Sequence, residues 1–183
     1  MPKRSRNAPV RRTKGRKAPT LAKLKKTAWK LLSEIVRRSA ASNTGFVSCY
    51  TCGATLPWKS MQAGHAIPGR TGSTLLDEEI IRPQDAYCNI FLRGNYPVFT
   101  TKLIREQAGN FGDWNDPKCI QNALEWWEAK LSSSRLVRKW DRSELEAKIL
   151  EYRGRLALHI ACQASGDHRC GTVYGTALPL TTR

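Results

Sequence analysis

Between Cys49 and Asn95 the chain reads Cys49-Tyr50-Thr51-Cys52-Gly53, then Ala63-Gly64-His65, then Gln84-Asp85-Ala86-Tyr87-Cys88-Asn89, then Gly94-Asn95. This stretch limits the fold more than any other. A Cys-x-x-Cys knuckle closed by Gly aims two thiolates at one tetrahedral ion, usually zinc. The second knuckle carries Asp85 in the place of a first Cys, with Cys88 three residues on. Zinc accepts carboxylate as well as thiolate. Cys49, Cys52, Cys88 and Asp85 are therefore the expected ligands of a structural zinc, and His65 lies between the two halves.

A lone His between the halves and an Asn directly after the last Cys add a second chemistry. Imidazole titrates near working pH and can serve as a general base. A hard cation such as magnesium or manganese prefers oxygen, so Asn89 suits it and the thiolates do not. Phosphodiester hydrolysis needs an activated water and a cation on the scissile phosphate. His65 and Asn89 match those two needs, while zinc would pin the loops that carry them. Among nearby acids, Asp77, Glu78 and Glu79 are the candidates for a second oxygen ligand.

On these residues the segment resembles the His-Asn-His (ββα-metal) nucleases, and more narrowly the phage NinG (Rap) family of recombination endonucleases. The matching pieces are Cys49 and Cys52, Ala63-Gly64-His65, Ile81 with Gln84, Cys88-Asn89, and Gly94-Asn95, with Trp140 and the run Glu144 to Leu156 downstream. The likeness covers roughly residues 28–160. It implies a zinc-knuckle ββα-metal core, with His65 as the base, Asn89 on the catalytic cation and Asn95 supporting metal or phosphate. It also implies branched DNA as substrate, such as Holliday junctions and D-loops, in the cytoplasm of a bacterial host. Asp85 stands where the family has a third Cys, and Ile80 where it usually has Asn.

The charge balance points the same way. Among 183 residues there are 31 Lys and Arg against 15 Asp and Glu, a net charge of +16. Such an excess favours a polyanionic partner, and nucleic acid first. A membrane is not expected, because no apolar run approaches the roughly 18–20 residues that a span needs. No apolar segment follows the basic N-terminus, so no secretory signal is expected. A reducing compartment makes metal ligation the expected use of the cysteines. Residues 1–19 form a basic arm without an acid, carrying Lys3, Arg4, Arg6, Arg11, Arg12, Lys14, Arg16 and Lys17. The arm, Lys25 and Lys26 of the next segment, and Arg70 in a Gly-rich loop are the expected phosphate contacts.

Around this motif the chain reads as helical. Leu21, Leu24, Ala28, Leu31, Leu32 and Ile35 recur at helical spacing after Thr20, which can cap. Gln62 to Ile67 is expected as the strand bearing His65. A short helix from Cys88 would present Asn89 and Asn95 to it. Pro97 to Gln107 follows, with Gly109 as a stop. Asp116-Pro117 starts another helix, whose expected stripe is Ile120, Leu124, Trp127 and Leu131. Asp141 and Glu144 form a capping box before Leu145, Ile149, Tyr152 and Leu156. Trp114, Trp126, Trp127 and Trp140 are expected to pack between helices. Residues 161–183 are expected as a flexible tail with free thiols. A second zinc on Cys162, His168 and Cys170 would need Cys119 or His159 as well.

The expected architecture is α+β: a zinc-containing nuclease domain over residues 20–160, flanked by helices. The expected function is metal-dependent cleavage of DNA, by a homodimer if the substrate is a symmetric junction. The alternative is a non-catalytic zinc-knuckle DNA-binding protein. A basic RNA-binding protein is a third reading, since net charge does not choose between polyanions.

Overall fold

The computed structural model describes residues 18–69 and 72–165. The basic side chains expected at Lys3, Arg4, Arg6, Arg11, Arg12, Lys14, Arg16 and Lys17, with Arg70, His168 and Cys170, lie outside the described residues. Among the described residues the protein is α+β, with four long helices and two two-stranded antiparallel sheets. No helix there is long and apolar enough to cross a membrane.

Helix α1 spans Leu21–Ser39, and the Thr20 hydroxyl caps it by accepting the N–H of Lys23 at 3.3 Å. Leu24, Ala28, Leu32 and Ile35 form its buried stripe. The stripe packs along helix α4, Arg142–Ser165, whose Leu145, Ile149 and Tyr152 share the same core. The α4 start is a complete capping box. Asp141 Oδ1 accepts from Glu144 N at 2.8 Å, and Glu144 Oε2 accepts from Asp141 N at 3.1 Å. The helix runs past residue 160, and the chain from Arg155 to Ser165 holds no Gly or Pro to end it. Cys162, expected as a free thiol in the tail, is therefore helical, and it is disulfide-bonded.

Three expectations for the other helices shift, the first being Trp114, expected to pack between helices but exposed before α3. Helix α2, Tyr96–Phe111, passes through Gly109 and ends at Gly112 with φ +150°. A helical Gly costs about 1 kcal/mol relative to Ala but leaves the hydrogen-bond ladder intact. Helix α3, Pro117–Ser134, starts where expected, with Asp116 Oδ1 accepting from Lys118 N at 2.9 Å. Its buried positions are Cys119, Ala123 and Trp127, while Ile120 and Leu124 are exposed. Ala108 of α2 packs with Cys119 and Ala123 of α3, so the first turns of α3 bury the positions one residue before Ile120 and Leu124, while Trp127 is buried as expected.

Strands β1 (Phe46–Ser48) and β2 (Thr55–Pro57) pair across the first knuckle. Strands β3 (Gln62–His65) and β4 (Ile81–Gln84) pair with Gln62 opposite Gln84 and His65 opposite Ile81. A single wide helical turn, Tyr87–Phe91, follows β4 and closes with Leu92 N bonded to the Tyr87 carbonyl at 2.9 Å. Ile80, Ile81, Ala63 and Ala66 anchor the β3–β4 pair on the α1–α4 core.

Candidate metal centre

The two knuckles have the same local wiring. In the first, the N–H of Gly53 bonds to the Cys49 carbonyl at 2.9 Å, and the N–H of Cys52 reaches the Cys49 sulfur. In the second, the N–H of Asn89 bonds to the Asp85 carbonyl at 3.0 Å, and the N–H of Cys88 reaches Asp85 Oδ1 at 2.6 Å. Gly53 permits the first turn through φ +81°. Asp85 N also donates to Cys49 Sγ at 3.4 Å, which stitches one knuckle to the other.

Through this wiring the donor atoms of Cys49, Cys52, Asp85 and Cys88 all lie within 4.8 Å of one another. Two donors at about 2.3 Å from a common zinc lie about 3.8 Å apart, so this set can close on a single ion with small adjustments. Cys49, Asp85 and Cys88 are buried and Cys52 is exposed. The electrostatics fit a cation. Burial pushes the Cys49 thiol up, but N–H donors from Cys52 and Asp85 and the Thr51 hydroxyl outweigh it and bring the thiol below its usual value. Asp85 Oδ2 accepts from Cys52 Sγ at 3.0 Å, and this carboxylate, with burial, pushes the Cys52 thiol up to about 12. Burial also pushes Asp85 up, and the Cys88 N–H and the neighbouring thiols hold it below the usual carboxylate range. A divalent ion bound here would replace the proton that Cys52 shares with Asp85.

Gln84 ties the cluster to its surroundings. Its fully buried amide donates to the Thr51 hydroxyl at 3.2 Å and to the Gly94 carbonyl at 2.9 Å. Its Oε1 meets no hydrogen-bond partner and lies over Gly64, where an added Cβ would sit 1.9 Å away. Asn89, half-buried, donates through Nδ2 to Gln62 Oε1 at 2.5 Å. Asn95 sits in the left-handed region at φ +47°, just before α2, and makes no side-chain capping bond. Arg93 and Gly94 before it are also left-handed, at φ +52° and +95°.

His65 is only 6% exposed. Its ring stacks on Trp29 of α1 with centroids 4.7 Å apart, and Nε2 lies 3.4 Å from the Leu75 carbonyl. Neighbouring strand residues point to opposite faces, so Gln62 and His65, three apart, do not share one. Asn89 therefore meets the strand that carries His65 on the face opposite the imidazole. Asp77, Glu78 and Glu79 do not converge on Asn89. Lys130 of α3 holds Asp77 at 2.9 Å and also pairs with Glu79, and Arg155 of α4 holds both oxygens of Glu78 at 2.6 and 2.7 Å. Of the basic residues singled out, Lys26 is exposed on α1 and Lys25 half-buried. Neither Cys119 nor His159 belongs to a donor cluster among the described residues.

Comparison with protein-family models, with curated proteins and with solved structures finds no match. The sequence reading missed Gln62 as the partner of Asn89 and Trp29 as the cover of His65. Trp29 lies three and seven residues before Leu32 and Val36, so helical spacing was the available signal. Gln62 carried none beyond being polar at a strand start.

Proposed function

We propose that the protein is a metal-dependent DNA endonuclease in which a structural zinc on Cys49, Cys52, Asp85 and Cys88 holds a catalytic strand and turn in register. One observation carries this reading. Cys88 belongs to the metal-donor cluster, while the next residue, Asn89, is bonded to the strand that bears His65.

In this reading His65 takes the proton of the attacking water. A carbonyl oxygen can only accept, so in the contact with Leu75 the Nε2 atom is the donor. Trp29 fixes the ring plane. Asn89 Oδ1 would hold a magnesium or manganese ion, which would supply charge neutralisation at the scissile phosphate. Asn95 supports the phosphate from its turn. Lys26 and the basic arm hold the DNA backbone, and branched recombination intermediates are the substrate that the motif's resemblance suggests.

The second reading, a zinc-knuckle protein that binds DNA without cutting it, is favoured by the burial of His65 and its position on the strand face away from Asn89. Incubating the protein with a synthetic four-way junction, linear duplex and single strand, with magnesium or manganese, separates the two. The nuclease reading expects discrete cuts in the junction that need the cation. Binding without cuts under every cation favours the second.

A further inference from the structure

The wide turn after β4 buries one side chain and exposes its neighbours. Cys88 is fully buried, whereas Tyr87 is 62%, Ile90 55% and Phe91 73% exposed, and Leu92 follows, also exposed. A contiguous apolar group of this kind marks a binding face. The rings of Tyr87 and Phe91 lie with centroids 6.2 Å apart and planes tilted by 31°.

This face is held rigidly. Asp85 caps Cys88, Asn89 is bonded to Gln62, and Gln84 holds the Gly94 carbonyl just beyond. Exposed rings on a rigid base lose little freedom when they bind. The electrostatic setting selects the partner. From Ala86 to Arg105 the chain contains no Asp or Glu, and Arg93 follows the turn directly, while Lys102 is turned onto the Tyr50 and Thr51 carbonyls. Arg93 is exposed two residues after Phe91, on a left-handed backbone that an arginine adopts at a cost. A second copy of this chain would bring the same basic residues and the same net charge of +16 against this face. A nucleic-acid strand brings phosphates for the basic residues and flat apolar bases for the rings.

We infer that Tyr87 and Phe91 form a stacking platform for unpaired bases of a DNA strand whose backbone passes Asn89, an inference that rests on the nuclease reading of that residue. Every base offers a π-face, so the platform selects opened or branched DNA over intact duplex without reading sequence.

The test is equilibrium binding of the full chain to a forked DNA with a fluorescent adenine analogue in its unpaired arm, with no magnesium or manganese added. The fluorescence should be quenched on binding. Phe91→Ala and Tyr87→Ala should weaken fork binding by roughly five- to a hundredfold, the range set by stacking on one base, and leave duplex affinity unchanged. Phe91→Leu keeps the apolar surface and should behave like the alanine variant, whereas Phe91→Trp should restore binding and quenching. Both side chains are exposed, and unchanged zinc content and melting temperature would show the variants folded. The inference is overturned if Phe91→Leu binds the fork like wild type, or if fork and duplex affinities fall together. It is equally overturned if light scattering shows a dimer that Phe91→Ala converts to monomer. Because no cutting is measured, a protein that stacks bases but never cleaves fails only the nuclease reading. One that cleaves while Phe91→Ala binds the fork normally fails only this inference.

Discussion

Asp85 Oδ1 accepts the backbone N–H of Cys88 at 2.6 Å, just as the Cys49 sulfur accepts the N–H of Cys52. In each knuckle the first residue therefore offers one donor atom to a metal and also closes its own turn. A carboxylate does both because it has two oxygens, and here the second faces Cys52 at 3.0 Å. An Asp at this knuckle position thus closes the same turn as a Cys would while offering a metal a harder ligand atom.

Asp85 variants should separate these roles. Asp85→Cys keeps a turn-closing atom and completes an all-thiolate set, so zinc retention against chelator and melting temperature should both rise. Asp85→Ala removes a ligand and leaves the Cys88 N–H buried without an acceptor, which costs about 1–3 kcal/mol before any loss of metal. Elemental analysis and thermal melts of the three proteins check this. Equal zinc content and equal melting temperature in all three would place Asp85 outside the site.

His65→Ala should reduce metal-dependent junction cleavage by about 10²–10⁴-fold, the usual loss for a general base. Junction affinity should change little, since the backbone contacts of this reading come from the basic residues. Asn89→Ala should also lose activity, partly restored by a higher cation concentration. Single-turnover rates beside binding isotherms test both.

Gly64→Ala should destabilise the protein by about 1–3 kcal/mol, the range for overpacking a filled core. Its Cβ would collide with Gln84 Oε1, and Gln84 cannot yield without breaking its bonds to Thr51 and Gly94. A lower melting temperature with reduced zinc retention is expected. An unchanged melt would show that Gln84 is free to move.

Deleting residues 1–19 removes eight positive side chains and no carboxylate. Affinity should fall on every DNA shape, and log affinity against log salt should become shallower. Preference for a junction over duplex should survive, because phosphate contacts position rather than specify. Titrations at several salt concentrations measure the slope, and an unchanged slope would assign the arm no phosphate contact.

Much of the fold was legible because its signals are local. Thr20, Asp116 and the Asp141–Glu144 pair act within one helical turn, and each caps the helix expected of it. The apolar spacing of α1 and α4 likewise gave most of their buried faces, though Leu21, at the start of α1, is exposed. What was not legible depends on partners far along the chain. The buried face of α3 follows from Ala108 on α2, and the pairing of Asp77, Glu78 and Glu79 follows from Lys130 and Arg155. At the metal centre, knuckle spacing alone singled out Cys49, Cys52, Asp85 and Cys88. Spacing did not reveal which strand face each of His65 and Asn89 would meet, since that depends on register and on the packing of Trp29 from α1.

The central claim is that the zinc cluster and the strand site work as one unit. Its most direct measurement is four-way junction cleavage in magnesium by protein stripped of zinc, before and after zinc is returned. Stripping should abolish cleavage, and activity should return in proportion to zinc bound, saturating at one ion per chain. Cleavage indifferent to zinc, or no cleavage by the fully loaded protein, would contradict it.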